Sequence, residues 1–265
     1  MSFEIKPLDA QVSQTMSNIP RIPFTLGIIA GKGGGKTTLL CQLLIKKEFY
    51  KEKFNQIYLL SPTAHNDNDK WSIVQSKNIL IENKNIPKTR DNYESVLDKK
   101  ERFNKKLTEI HTDMDEYLDI INDISQRQQS MVETYGKQDA DNVLIILDDC
   151  LGHKLLKSNE LMKMVIKSRH LKISMIIISQ SYFGIHKTIR LNMSFWVLFH
   201  IANMKELGLI YEENNASFKQ KEFESIFENV TSKPFAFLCI NHQNNTKYKL
   251  INSFKTFIIK NFSNE

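Results

Sequence analysis

The stretch Ala30-Gly31-Lys32-Gly33-Gly34-Gly35-Lys36-Thr37-Thr38 constrains this 265-residue chain more than any other feature, since it gathers four of the nine glycines into residues 31–35. An apolar run, residues 24–30, leads into it, and Leu39, Leu40, Leu43 and Leu44 follow at helical spacing. Strand, glycine turn and helix in that order, with a small residue, four of any kind, then Gly-Lys-Thr, make a phosphate-binding loop. Glycine backbone can turn its N–H groups inward around an anion, and the new helix points its positive end at the same phosphates. Gly31, Lys32, Gly33, Gly34, Gly35, Lys36, Thr37 and Thr38 are therefore the candidate nucleotide-binding residues. Lys36 would reach the β- and γ-phosphates, and the Thr37 hydroxyl would ligate Mg²⁺ beside ATP.

Two other glycine-rich loops fail on register. A dinucleotide fingerprint that used Gly31 and Gly33 would need its third glycine at Lys36. The partition-type ATPase loop, K-G-G-x-G-K-T, would need lysine at Gly31 and glycine at Lys32.

The rest of the chain alternates strand and helix, which argues for a parallel sheet covered on both faces. Strands are expected at 56–63, 142–150, 173–180 and 195–201, with a last pair at 235–240 and 248–254. Five or six mostly parallel strands give an α/β, three-layer P-loop NTPase of the ASCE/RecA-like class. The expected divisions are an N-terminal extension at 1–22, the ATPase domain at 23–255 and a tail at 256–265. Within the domain, Leu107, Ile110, Met114, Tyr117, Ile121, Ile124, Gln128 and Met131 step by three and four. That spacing predicts one long amphipathic helix in an insertion at about 94–135.

A phosphate loop does not by itself separate kinases, GTPases and motors; its partner motifs do. In residues 143–150 an apolar strand delivers Asp148 and Asp149 to its C-terminal end, where ligands bind in such sheets. Asp148 is placed to hold Mg²⁺, and Asp149 to polarise an attacking water. A second apolar strand delivers Ser179 and Gln180, whose amide could bond both γ-phosphate and water. Of six arginines, Arg169 and Arg190 fall in this half. Their fixed charge and forked donors suit a transferring phosphoryl group in a neighbouring subunit, and a surface ion pair is the alternative for each.

Composition bounds the remaining classes. No apolar run reaches the roughly 20 residues of a membrane helix, and the first 23 residues lack the apolar core of a secretory signal. Cys41, Cys150 and Cys239 are too scattered for a metal site or disulfide framework and read as small buried hydrophobes. A net charge of +6 suits a polyanionic partner without specifying one. A nucleoside or nucleotide kinase would need an arginine-rich lid that six scattered arginines do not supply. An ATP-controlled scaffold or partition protein would bind ATP and barely turn it over.

Taken in order, the phosphate loop, residues 57–63, the Asp148-Asp149 strand, residues 168–181 with Arg169 and Gln180, and Arg190-Leu191-Asn192 resemble a known family. These are the genome-packaging ATPases of large DNA viruses, the poxvirus-type branch of the FtsK/HerA superfamily with relatives in giant viruses and virophages. The resemblance spans about residues 22–200. It implies an ATP-hydrolysing homo-oligomeric ring, a pentamer or hexamer, that drives double-stranded DNA into a preformed capsid. It also implies a capsid-vertex or membrane-protein partner, and a location in the host-cell cytoplasm, at the virus factory, and in the virion. Carried onto this chain it suggests Lys36 and Thr37 for phosphate and metal, Asp148 and Asp149 for metal and water, Gln180 as sensor, and Arg169 or Arg190 as the trans-acting finger. Basic loops at the same edge, with His153, Lys154, Lys157, Tyr182 and Lys187, are candidates for facing the DNA.

Overall fold

Strands β1 (Thr25–Ile29), β4 (Val143–Leu147) and β5 (Ile173–Ser179) are buried at every position, so the sheet they form needs cover on both faces. A computed structural model describes residues 18–64, 71, 108–150, 154–214, 218–244 and 249–258. The other strands are β2 (Gln56–Leu60), β3 (Thr108–His111), β6 (Phe195–Leu198), β7 (Leu238–Asn241), β8 (Leu250–Asn252) and β9 (Thr256–Ile258). They join in one nine-stranded sheet of order β3-β2-β4-β5-β1-β6-β7-β8-β9. The first six in that order pair in parallel and the last three are antiparallel.

Alternation along each strand divides the core in two. Leu26 and Ile28 of β1, Leu144 and Ile146 of β4, and Ile176 and Ile178 of β5 pack with Leu40, Leu43 and Leu44 of α1 (Lys36–Ile45). Ile145 and Leu147 of β4 and Met175 and Ile177 of β5 face the other way. They meet α2 (Tyr117–Asp139) through Tyr117, Ile121 and Ile124, and α3 (Asn159–Lys167) through Leu161, Met164 and Val165. The same layer holds α5 (Met204–Asn214) and α6 (Gln220–Thr231), while the short α4 (Lys187–Leu191) leads into β6. Gly27 is a packing requirement here, because a Cβ at that position would lie 2.1 Å from the Trp196 ring that crosses β1. The three-layer P-loop α/β architecture is thus the one expected.

Three expectations drawn from the sequence need correction. The helix expected over 94–135 does not run through Thr108–His111, which is β3, paired in parallel with β2 from Ile57–Thr108 to Leu60–His111. The three-and-four spacing of Ile110, Met114 and Tyr117 is accidental at its first member. The stop signal was Asp113, whose side chain accepts a bond from Asp115 N at 3.0 Å and opens the turn into α2. Residues 94–107 lie outside the described residues, and α2 reaches Asp139 across a break at Gly136, whose φ of 80° is not helical.

The boundary at 255 cuts a hairpin, since β9 pairs with β8 through a turn in which Lys255 N donates to Asn252 O at 2.8 Å. Phe254 at the tip packs its ring against Phe237, Phe49 and Phe195, with centroids 5.0, 5.7 and 6.0 Å away. Residues 18–22 likewise belong with the domain: Asn18 Nδ2 donates to Phe254 O at 3.2 Å, and Tyr50 OH to Pro20 O at 2.7 Å.

Candidate nucleotide and hydrolysis site

The sheet order places the chemistry. β5 lies between β1 and β4, and all three run the same way, so their C-terminal ends share one edge. Ile29 pairs with Ser179, and Leu147 with Ile177, which brings the glycine loop, Gln180 and the Asp148-Asp149 pair side by side. The loop hangs from this edge by Ala30 N donating to Ser179 O at 3.2 Å.

Gly33 and Gly35 have φ of 74° and 89°, in the left-handed region where a side chain is strained, so the glycine run allows the loop to curl around an anion. Gly34 N closes the turn onto Gly31 O at 3.1 Å, and Leu39 N starts the helical ladder on Gly35 O at 2.9 Å. Lys36 lies across its own loop, its Nζ donating to Ala30 O at 3.0 Å and Gly31 O at 3.1 Å. Among the described residues neutral carbonyls hold the ammonium. Lys32 and Thr38 are exposed beside it, and Thr37 is half-buried at the start of α1.

Asp148 is buried, and its N–H donates to Leu60 O at 3.0 Å. Asp149 has φ of 55°, which turns its backbone out of the strand path. Its Oδ1 accepts a hydrogen bond from Gln180 Nε2 at 3.2 Å, so two residues 31 apart in sequence meet at the edge. Cys150 tucks beneath, its Sγ–H reaching Asp148 O at 3.3 Å. Burial, reinforced by the charges of Asp148 and Asp149, pushes its thiol up to about 12, so it stays protonated and inert. Cys239 is also buried and Cys41 half-buried.

Magnesium prefers oxygen donors and commonly takes one or two carboxylates together with substrate phosphates. Asp148 and the Thr37 hydroxyl fit that set. Among the described residues no cluster of three or more histidine, cysteine or acidic side chains offers an all-protein cage.

The segment after Gln180 is anchored by residues that sequence reasoning missed. Glu206 of α5, 7% exposed, accepts bonds at Oε1 from Ser181 Oγ (2.8 Å), Phe183 N (3.3 Å) and Tyr182 N. Its signal was legible, because Glu206 stands four residues before Ile210 on the buried stripe of α5. Tyr182, expected near DNA, is instead fully buried against Trp196 with ring centroids 4.8 Å apart. Its hydroxyl donates to Glu213 Oε2 at 2.8 Å.

The two arginines part company. Arg190 makes a forked pair with Glu213, Nε to Oε2 at 2.8 Å and Nη2 to Oε1 at 2.6 Å, and Nη1 donates to Ile185 O at 2.6 Å. Its guanidinium carbon lies 4.9 Å from the centre of the Tyr182 ring. With side-chain exposures of 9% and 7%, this is a buried ion pair within one chain, which neither a free finger nor a surface pair describes. Arg169 is exposed just before β5, at the edge opposite the glycine loop, and lines an open depression of about 390 Å³ with Arg21, Lys137 and Gln243. Lys154 and Lys157 are exposed on a 3-10 turn and Lys187 at the start of α4, the two joined by His186 N donating to Leu156 O at 3.3 Å; His153 lies outside the described residues.

Solved structures share the fold at low identity. The DNA-packaging ATPase B204 of Sulfolobus turreted icosahedral virus aligns with a TM-score of 0.56 at 13% identity, over 88% of this chain and 97% of its own. The genome-packaging NTPase B204 of Sulfolobus turreted icosahedral virus 2, in complex with ATP-γS, gives 0.54 at 14% identity, over 87% of this chain and 96% of its own. The pCW3 conjugation coupling protein TcpA, as a monomer with ATPγS, gives 0.51 at 11% identity, over 88% of this chain and 61% of its own. No curated protein matches the chain. The sequence profile of the poxvirus A32 protein family matches residues 116–249. That half holds Asp148, Asp149, Arg169, Gln180 and Arg190, and the glycine loop lies outside it. The match agrees with the resemblance read from the motifs, and the chain belongs to the poxvirus A32 protein family.

Proposed function

We propose that this protein is an ATP-hydrolysing motor that moves double-stranded DNA into a preformed capsid. The observation that carries this reading is the convergence of Lys36, Asp149 and Gln180 at one sheet edge, in a chain of the poxvirus A32 protein family. Lys36 is placed to bind the β- and γ-phosphates and to offset charge that builds on them as the terminal phosphoryl group leaves. Asp149 is the group to take a proton from the attacking water, with Gln180 holding its carboxylate in position. Magnesium, which neutralises phosphate charge when bound, would be held by Thr37 and Asp148. The Gln180–Ser181–Glu206 linkage gives a bonded route from the phosphate site to α5.

Double-stranded DNA is the substrate supported by the family and by the B204 DNA-packaging ATPase, which shares the fold. Lys154, Lys157 and Lys187 at the site's edge, with a net charge of +6, suit a phosphate backbone. Arg169, facing away from its own glycine loop, is suited to complete a neighbour's site in a ring of five or six copies. The protein would act in the host-cell cytoplasm, at the virus factory, and on the virion, docked to a capsid-vertex or membrane protein. Among the described residues no helix is long and apolar enough to cross a membrane.

Hydrolysis is expected to rise several-fold on addition of double-stranded DNA of any sequence. That stimulation should fall steeply between about 50 and 200 mM salt, since backbone contacts release counterions. Phosphate release with and without DNA across that range checks this. Turnover indifferent to DNA at both ends would remove the motor reading.

A further inference from the structure

The loop between α6 and β7 carries an aromatic residue in a place that local physics does not favour. Ala236 N donates to Lys233 O at 3.1 Å, Pro234 takes the second position and Phe235 the third with φ of 62°, the pattern of a type II turn. That third position is normally glycine or asparagine, because a bulky side chain at positive φ is strained. Burial does not compensate, since Phe235 is 68% exposed. Its ring lies against the phosphate loop: a Cβ at Gly35 would stand 3.0 Å from Phe235 Cδ1 and 3.7 Å from Cε1.

The sheet order says what such a ring could contact. β7 runs antiparallel to β6 with Leu238 opposite Leu198, so the turn before Leu238 sits on the edge that carries the glycine loop. β1 divides that edge, with β5 and β4, bearing Gln180 and Asp149, on one side and β6 and β7 on the other. A nucleoside triphosphate held on the loop with its terminal phosphate toward Asp149 and Gln180 would have its nucleoside on the other side of β1, toward β6 and β7. Phe235 stands there.

We propose that Phe235 is the platform on which the base of the bound nucleotide stacks. This rests on the nucleotide-binding reading above. An exposed aromatic face gains favourable contact from a base, and the turn places the ring against Gly35.

The test is titration of the full chain and its Phe235→Ala and Phe235→Trp variants with ATPγS and with inorganic tripolyphosphate, which has no base. Phe235→Ala is expected to weaken ATPγS binding about tenfold, as loss of one base–aromatic stack does. Tripolyphosphate binding should not change, Phe235→Trp should restore ATPγS affinity, and thermal melts should show the alanine variant folded. Equal ATPγS affinity in the wild type and Phe235→Ala would overturn the assignment and leave the phosphate site standing. So would an equal loss for both ligands, which would make Phe235 a support for the loop. A wild-type chain that binds neither ligand would instead refute the nucleotide-binding reading, and the base platform with it.

Discussion

Replacing Lys36 with alanine is expected to lower ATP turnover by about 100- to 1,000-fold, the usual cost of removing one preorganised charge-stabilising donor. The melting transition should barely move. Among the described residues Lys36 Nζ bonds to the carbonyls of Ala30 and Gly31, both neutral acceptors. Two such hydrogen bonds at a half-exposed site contribute on the order of 1 kcal/mol, which water largely replaces. Phosphate release together with a thermal melt separates lost chemistry from lost fold. Normal turnover in a folded Lys36→Ala variant would place the active site elsewhere in the chain.

Arg190→Ala should do the opposite and lose stability. Removing one partner of a buried ion pair costs about 3–5 kcal/mol, because the remaining charge is left in a poorly solvated site. Here that charge is Glu213, reached by the Arg190 fork and by the Tyr182 hydroxyl. Against a typical domain stability of about 5–15 kcal/mol the loss is severe. Arg190→Lys keeps the charge without the fork or the stacking on Tyr182, and should fall between. Arg169→Ala should leave stability near wild type, because its side chain is exposed, and impair turnover only in assembled protein. Urea unfolding of the three variants checks this directly, and a stable Arg190→Ala chain would return Arg190 to the trans-acting candidates.

Acid should reveal the same pair. Burial alone would raise the Glu213 pKa, but hydrogen bonds from Arg190 and Tyr182 outweigh it, and the carboxyl sits below its usual range. The folded state therefore binds this proton less readily than the unfolded chain. The stabilisation is fully present above the unfolded carboxylate pKa, about 4.3, and is lost as pH falls through the lower folded value. The stability gap between wild type and Arg190→Ala should narrow accordingly below about pH 4.

How legible each feature is in the sequence depends on how local it is. The glycine loop is contiguous, and its φ requirements and helix start lie within nine residues. Asp148, Asp149 and Gln180 were legible because an apolar strand in such a sheet delivers the residues after it to the C-terminal edge. Their meeting depends on β5 lying between β1 and β4, a matter of strand order that no local pattern encodes. The fate of Arg190 was hidden because Glu213 lies 23 residues on, in another helix. β3 was masked by chance helical spacing at Ile110, although Asp113 carried the capping signal. Phe235 passed unnoticed because its significance is its nearness to Gly35, which only the folded chain displays.

ATP-dependent displacement of a third strand from duplex DNA tests the motor reading most directly. Wild-type protein with ATP is expected to strip a triplex-forming strand from a long duplex at a rate set by its ATP turnover. ATPγS in place of ATP, or the Lys36→Ala variant, should leave the triplex intact. ATP hydrolysis by DNA-bound wild-type protein with no displacement would contradict the account.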